Sequence, residues 1–150
     1  PRGFAPLTGA TLAQLATTQR GLAQAAAQRG QWPAAVALLR EAHDLQPEDT
    51  EVTRALANAL GQVGQLPDAA RILDDLLARR PEDGAANYLR AVIAAHSGDP
   101  ATALQRLEQA LQWGAVSAAQ LASDPNLEPL HADPRFQALL TPPTTAPAAP

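Results

Sequence analysis

Few side chains in this sequence could do chemistry. The histidines are His43, His96 and His131, the serines are Ser97, Ser117 and Ser123, and there is no cysteine. A histidine could act as a general base or bind a metal, and a serine could attack a carbonyl if a base stood beside it. Glu41, His43 and Asp44 gather three such groups in four residues. On a helix, however, neighbours one and two apart do not face each other, so the group reads as a solvated outer face. No two-histidine helical metal motif and no glycine-rich phosphate loop is present. The serines fall at turns and helix ends, and none sits in a nucleophile-elbow pattern. The absence of cysteine excludes disulfides, zinc–thiolate sites and a thiol nucleophile. The sequence thus predicts no catalytic residue, no metal and no cofactor.

Composition says what must position anything else. Apolar residues make up 46% of the 150, yet only 3% are aromatic. Thirty-five residues are Ala and 22 are Leu. Such a core suits close-packed helices, because Ala is the best helix former and lets backbones approach. It does not suit a sandwich or barrel, which wants β-branched and aromatic residues. The net charge of −4 argues against nucleic acid as the main partner. No run of 18 apolar residues exists to span a membrane, and no secretory signal opens the chain. All 11 basic residues are Arg, which suggests a GC-rich bacterial source. A soluble protein of the bacterial cytoplasm or cell envelope is expected. The start at Pro1 rather than Met suggests a processed protein or a piece of a longer one.

A fixed period organises the chain. Pro47-Glu48-Asp49 returns as Pro81-Glu82-Asp83, 34 residues on. Gly30, Gly64 and Gly98 keep the same step, as do Ala23, Ala57 and Ala91, Ala35, Ala69 and Ala103, and Leu39, Leu73 and Leu107. Within one period, Val52, Leu56, Ala59, Leu60 and Val63 have helical spacing over 50–62. Gly64 then ends that helix from the left-handed conformation, and Pro67 suits the first turn of the next. Ala69, Ala70, Leu73, Leu76 and Leu77 form a second stripe, which Pro81 stops. Each unit is a helical hairpin that must stack on another to bury both faces.

On these residues the chain resembles the tetratricopeptide repeat family. Repeats of 16–49, 50–83 and 84–117 put the small residues in the family's columns, with Ala42, Leu76 and Ala110 in the third, where Leu76 departs. Trp32 stands at the aromatic position, which Leu66 and Pro100 replace later. Pro47 and Pro81 match, while Ala115 does not, which suggests that the third unit closes the array. The segment 118–140 resembles the closing segment of bacterial arrays. Asp124-Pro125 and Asp133-Pro134 read as two helix starts, with Asp as N-cap and Pro first in the helix. Leu127, Leu130, Phe136, Leu139 and Leu140 are expected to cover the last hairpin. At the other end Thr11 is expected to cap a helix running to Arg29, with Leu12, Leu15, Leu22 and Ala26 inward. Trp32 should wedge within its repeat and Trp113 should lie beneath the cap. Residues 1–10 form an N-terminal extension, and 141–150 a Pro-rich disordered tail or linker.

The resemblance implies an all-α solenoid of three hairpins plus a C-terminal helical cap. It also implies that the first helix of each repeat lines a concave groove, facing it with Arg20, Gln24 and Gln28, then Glu51, Arg54, Asn58 and Gln62, then Tyr88, Val92 and His96. Thr17, Ala27, Gly61, Ala85 and Ala95 share that face. An Arg followed four residues later by an amide could hold a carboxylate by paired hydrogen bonds and a peptide backbone by the amide. A carboxylate clamp of the chaperone-tail type is not expected, since Ala85, Leu89 and Arg90 do not supply its later positions. The function implied is a non-catalytic protein–protein interaction scaffold that binds a peptide, with no nucleic acid and no membrane span. The alternatives are a regulatory part of a longer enzyme or envelope protein, and a self-associating structural protein. A catalytic domain, resting on His96, is the remotest.

Overall fold

The structure is a computed structural model that describes residue 6 and residues 8–141. The Pro-rich tail expected from 141 onward lies, beyond Thr141, outside the described residues, as does most of the extension expected at 1–10. Among the described residues there is no strand. The chain divides into two compact units, Pro1–Arg80 and Pro81–Pro150.

The first unit holds α1 (Gly9–Gln28), α2 (Trp32–Leu45), α3 (Thr50–Gln62) and α4 (Leu66–Arg79). Each helix packs on the next in the chain. This is one hairpin stacked on another, the construction of an α-solenoid. The turns inside the hairpins follow from glycine. Gly30 and Gly64 have φ of 71° and 81°, where a side chain would be strained. Around Gly64 the amide of Gln65 bonds to Leu60 O at 2.9 Å and that of Gly64 to Gly61 O at 3.1 Å, which is a Schellman ending. Between the hairpins Asp49 caps α3, its carboxylate accepting from the amides of Glu51 and Val52.

The 34-residue period is a period of burial. Ala23, Ala57 and Ala91 are almost wholly buried, as are Ala35, Ala69 and Ala103. Leu39, Leu73 and Leu107 fill the space beside them, and Leu76 is buried where Ala42 and Ala110 stand in the other repeats. One buried column is polar. Thr53 bonds its hydroxyl to Asp49 O, and Asn87 donates to Pro81 O and Asp83 O while accepting from Arg106. Each polar side chain thus satisfies itself on the turn that precedes its helix.

Three expectations are corrected in the first unit. The N-cap of α1 is Thr8 rather than Thr11, since the Thr8 hydroxyl accepts from the Thr11 amide. Leu15 and Leu22 are exposed, at 39% and 54%, and the inward stripe of α1 is instead Ala16, Ala23 and Ala26. The physical reason is position. Leu56, one period after Leu22, is buried in α3, which has α2 packed against it, whereas α1 has no helix before it. His43 is half-buried rather than solvated, with Nδ1 3.3 Å from the Thr53 hydroxyl.

The second unit holds α5 (Gly84–His96), α6 (Pro100–Gln112), α7 (Ala118–Ala122), a 3₁₀ helix (Pro125–Leu130) and α8 (Pro134–Leu140). α5 and α6 form a hairpin that turns at Gly98. α7 starts where a fourth inner helix would, 34 residues after Gly84, and Ser117 caps it from the column of Asp49 and Asp83. It stops after five residues. Asp124 then caps the 3₁₀ helix and Asp133 caps α8, each followed by Pro. The 3₁₀ helix packs on α5, and α8 on α6 and α7. Leu121, Leu127, Leu130 and Phe136 are at most 1% exposed, and Leu139 and Leu140 pack beside them. Trp113 is not beneath this segment. It is half exposed at the C-cap of α6, where the Schellman turn at Gly114 ends the helix and directs the chain into α7.

Candidate functional site

In the first unit, α1 and α3 run beside each other with a cavity of about 460 Å³ between them. Small side chains make it. Ala23 and Ala27 on α1 and Ala55 and Ala59 on α3 leave the helices apart at this level, and Leu39 and Trp32 of α2 add an apolar wall. The rim is polar. Arg20 Nη1 meets Glu51 Oε2 at 2.8 Å, and Gln24 and Asn58 complete the lining. The rim amides are exposed, so they can exchange water for other partners.

Of the residues expected on the groove, this arrangement brings together Arg20, Gln24, Glu51 and Asn58, with Ala27 below them. Gln28 and Gln62 are exposed near the ends of α1 and α3, and Arg54 is half-buried on α3; none of the three lines the cavity. The pairing of Arg20 with Glu51 changes the expected chemistry. Both ends of the pair are well exposed, at 41% and 68% of their side chains, so its strength is at most about 1 kcal/mol. A carboxylate arriving at Arg20 has first to displace Glu51.

Tyr88, Val92 and His96 lie in the second unit, on α5, and there the closing segment meets them. Tyr88 and Val92 pack against the cluster that contains Leu127 and Leu130. The Tyr88 hydroxyl donates to the Asp124 carboxylate. Burial, and then that carboxylate, push the Tyr88 pKa up to about 12. His96 Nε2 lies 3.0 Å from Asn126 O. The tyrosine and its acid are 36 residues apart, and nothing in their local sequence joins them. Trp32 was expected only to wedge within its repeat, and it also walls the cavity. Its place at the first residue of α2, beside the groove column of α1, was the available signal.

Among the described residues, no three histidine or carboxylate groups converge so as to hold a metal ion. His131 stacks on Phe136, with ring centroids 5.6 Å apart. Among the described residues no helix is long and apolar enough to cross a membrane.

Stacked two-helix hairpins, small residues at the crossings and glycine turns on a 34-residue period define the class of helical-repeat scaffolds. A family model described as Tetratricopeptide repeat matches residues 19–93, half of the chain, and a second of the same description matches residues 84–109. The chain belongs to the tetratricopeptide repeat family, whose repeats generally mediate protein–protein interactions and are typically non-catalytic. No curated protein matches it.

Proposed function

We propose that the protein is an interaction scaffold that binds a short segment of a partner protein across the inner faces of α1 and α3. One observation carries this reading: an apolar cavity rimmed by two amides and an ion pair, on the helices that the family's resemblance assigns to the groove. Gln24 and Asn58 can each donate to and accept from a peptide backbone. Arg54 adds positive charge on α3, and a carboxylate on the partner segment would draw on it and compete with Glu51 for Arg20. A phage-displayed peptide library selected on the whole chain tests the reading. Replacing Gln24 and Asn58 together by Ala should weaken the selected peptides by roughly tenfold or more, since each lost hydrogen bond is worth about 1 kcal/mol. If instead Arg40→Ala and Arg71→Ala on α2 and α4 weaken them and the amide variants do not, the outer helices form the site.

A further inference from the structure

The second unit carries its own example of what fills this kind of space. A step of 68 residues, two periods, takes Ala23 to Ala91, Ala27 to Ala95 and Leu39 to Leu107. In the first unit the earlier residue of each pair lines the cavity. In the second unit the later residue of each pair belongs to the cluster in which Leu121, Leu127 and Leu130 are buried to 1% exposure or less. The rim corresponds too. Arg20 becomes Tyr88, and each meets a carboxylate from the element that follows it, Glu51 in one case and Asp124 in the other. At the far end of α5, His96 meets a backbone carbonyl of the same segment. One set of columns therefore has leucines on it in the second unit and open space in the first.

The geometry points to the α1–α3 cavity being a socket for a branched aliphatic side chain, leucine first, presented by a partner protein on a short segment. The inference rests on the groove reading above and says what anchors the segment: an apolar side chain on Ala27, Ala55 and Trp32, with the neighbouring backbone on Gln24 and Asn58. It also says what the anchor does not need. Asp124 is the carboxylate that the closing segment brings to α5, but in the first unit Glu51 already supplies the equivalent group to Arg20. An acid on the partner would compete with Glu51 rather than fill a gap. The cavity, at about 460 Å³, lies within the roughly 300–1,000 Å³ of ligand sites and holds more than one side chain, so the flanking backbone enters with the leucine.

The test is a methyl NMR titration of the whole chain with N-acetyl-leucinamide, with N-acetyl-alaninamide and N-acetyl-aspartamide as controls. The assigned methyls of Ala23, Ala27, Ala55 and Ala59 should shift saturably with the leucine amide, at least tenfold more strongly than with either control. Ala91 and Ala95, already covered, should not respond. Ala55→Leu changes a half-buried wall position and should fill the socket and abolish the shifts. Ala27→Leu is the second plug should the first unfold. If the aspartate amide shifts these methyls as strongly as the leucine amide, the groove stands and the apolar anchor is overturned. If neither amide nor any selected peptide moves α1 or α3 resonances, the groove reading falls as well. If the chain alone self-associates in sedimentation and Ala55→Leu abolishes this, the socket takes a second copy's leucines and a separate partner is overturned.

Discussion

α3 and α5 are one helix written twice. Both run for 13 residues, both are capped by an Asp in the same column, and both bury an Ala, Ala57 or Ala91, at the tight crossing with the following helix. They differ in their inner faces. α3 presents Glu51 and Asn58 to a cavity, while α5 presents Tyr88, Val92 and His96 to leucines and to Asp124. The difference teaches that a repeat column fixes where a side chain points but not what it meets. An inner helix with nothing built against its face is a site, and the same helix with a closing segment against it is a core.

The sharpest way to break this comparison is to strip the closing segment. Phe136 is fully buried, and Phe136→Ala should cost about 3–5 kcal/mol because the cavity it leaves cannot collapse fully. Ending the chain at Ala122 removes Leu127, Leu130 and Phe136 together, and should cause fraying or aggregation as α5 and α6 expose their apolar faces. Urea titration measures the first and light scattering the second. A soluble chain of unchanged stability would mean that the segment does not belong to the fold of the second unit.

Next in size are the close crossings. Gly84 opens α5, and a Cβ placed on it would lie 2.5 Å from the Cβ of Ala115. Gly84→Ala should therefore cost about 1–3 kcal/mol although Ala is the better helix former. Ala69→Leu, in a column that is wholly buried, should cost a similar amount. If Gly84→Ala leaves the melting temperature unchanged or raises it, helix propensity outweighs the contact and the chain yields at Ala115.

How much of this could be read beforehand divides along the same line. The helix of residues 50–62, the glycine turns and the buried small columns were legible, because each depends on residues within one period. The two Asp-Pro starts were legible for the same reason: a cap and a Pro act over a single turn. The exposure of Leu15 and Leu22 was not, since the amphipathic pattern shows that a face is apolar without saying whether a helix lies on it. Trp113 misled in a related way, because a large apolar residue at a helix end can leave with the turn. The contact of Tyr88 with Asp124 depends on α7 stopping after five residues, which sets where the next segment runs. In the candidate site Arg20, Gln24, Glu51 and Asn58 were expected on one face. Their cavity depends on four alanines and a tryptophan that read only as packing.

A smaller effect separates the two inner faces by pH. The Tyr88 hydroxyl has its pKa raised from 10.0 to about 12, by burial first and the Asp124 carboxylate second. A group whose folded pKa lies above its unfolded one contributes stability that is complete below the unfolded value and is lost as pH rises through the folded one. The second unit should therefore weaken between about pH 10 and pH 12, as ionised Tyr88 and Asp124 come to repel. Tyr88→Phe should flatten that limb. A melting curve that falls equally in the variant over this window would assign the loss to other groups.

The smallest effect belongs to the first unit's ion pair. Arg20 and Glu51 face the solvent, so Arg20→Ala should change stability by less than about 1 kcal/mol, and 1 M salt should remove most of that difference. Its effect on a bound segment divides two descriptions of the site. If the anchor is a leucine, Arg20→Ala leaves affinity within about threefold, because Glu51 had already engaged the guanidinium and the apolar contact carries the binding. If the segment binds by a carboxylate on Arg20, the loss should approach that of a charge-assisted bond, about 1.5–3 kcal/mol, or more than tenfold. Glu51→Gln gives the opposite sign in the second case, since it frees Arg20 and should tighten an acidic ligand while leaving a neutral leucine segment unaffected. Calorimetry of both variants against one selected peptide distinguishes the two, because an acidic anchor must move them in opposite directions and an apolar one must move neither.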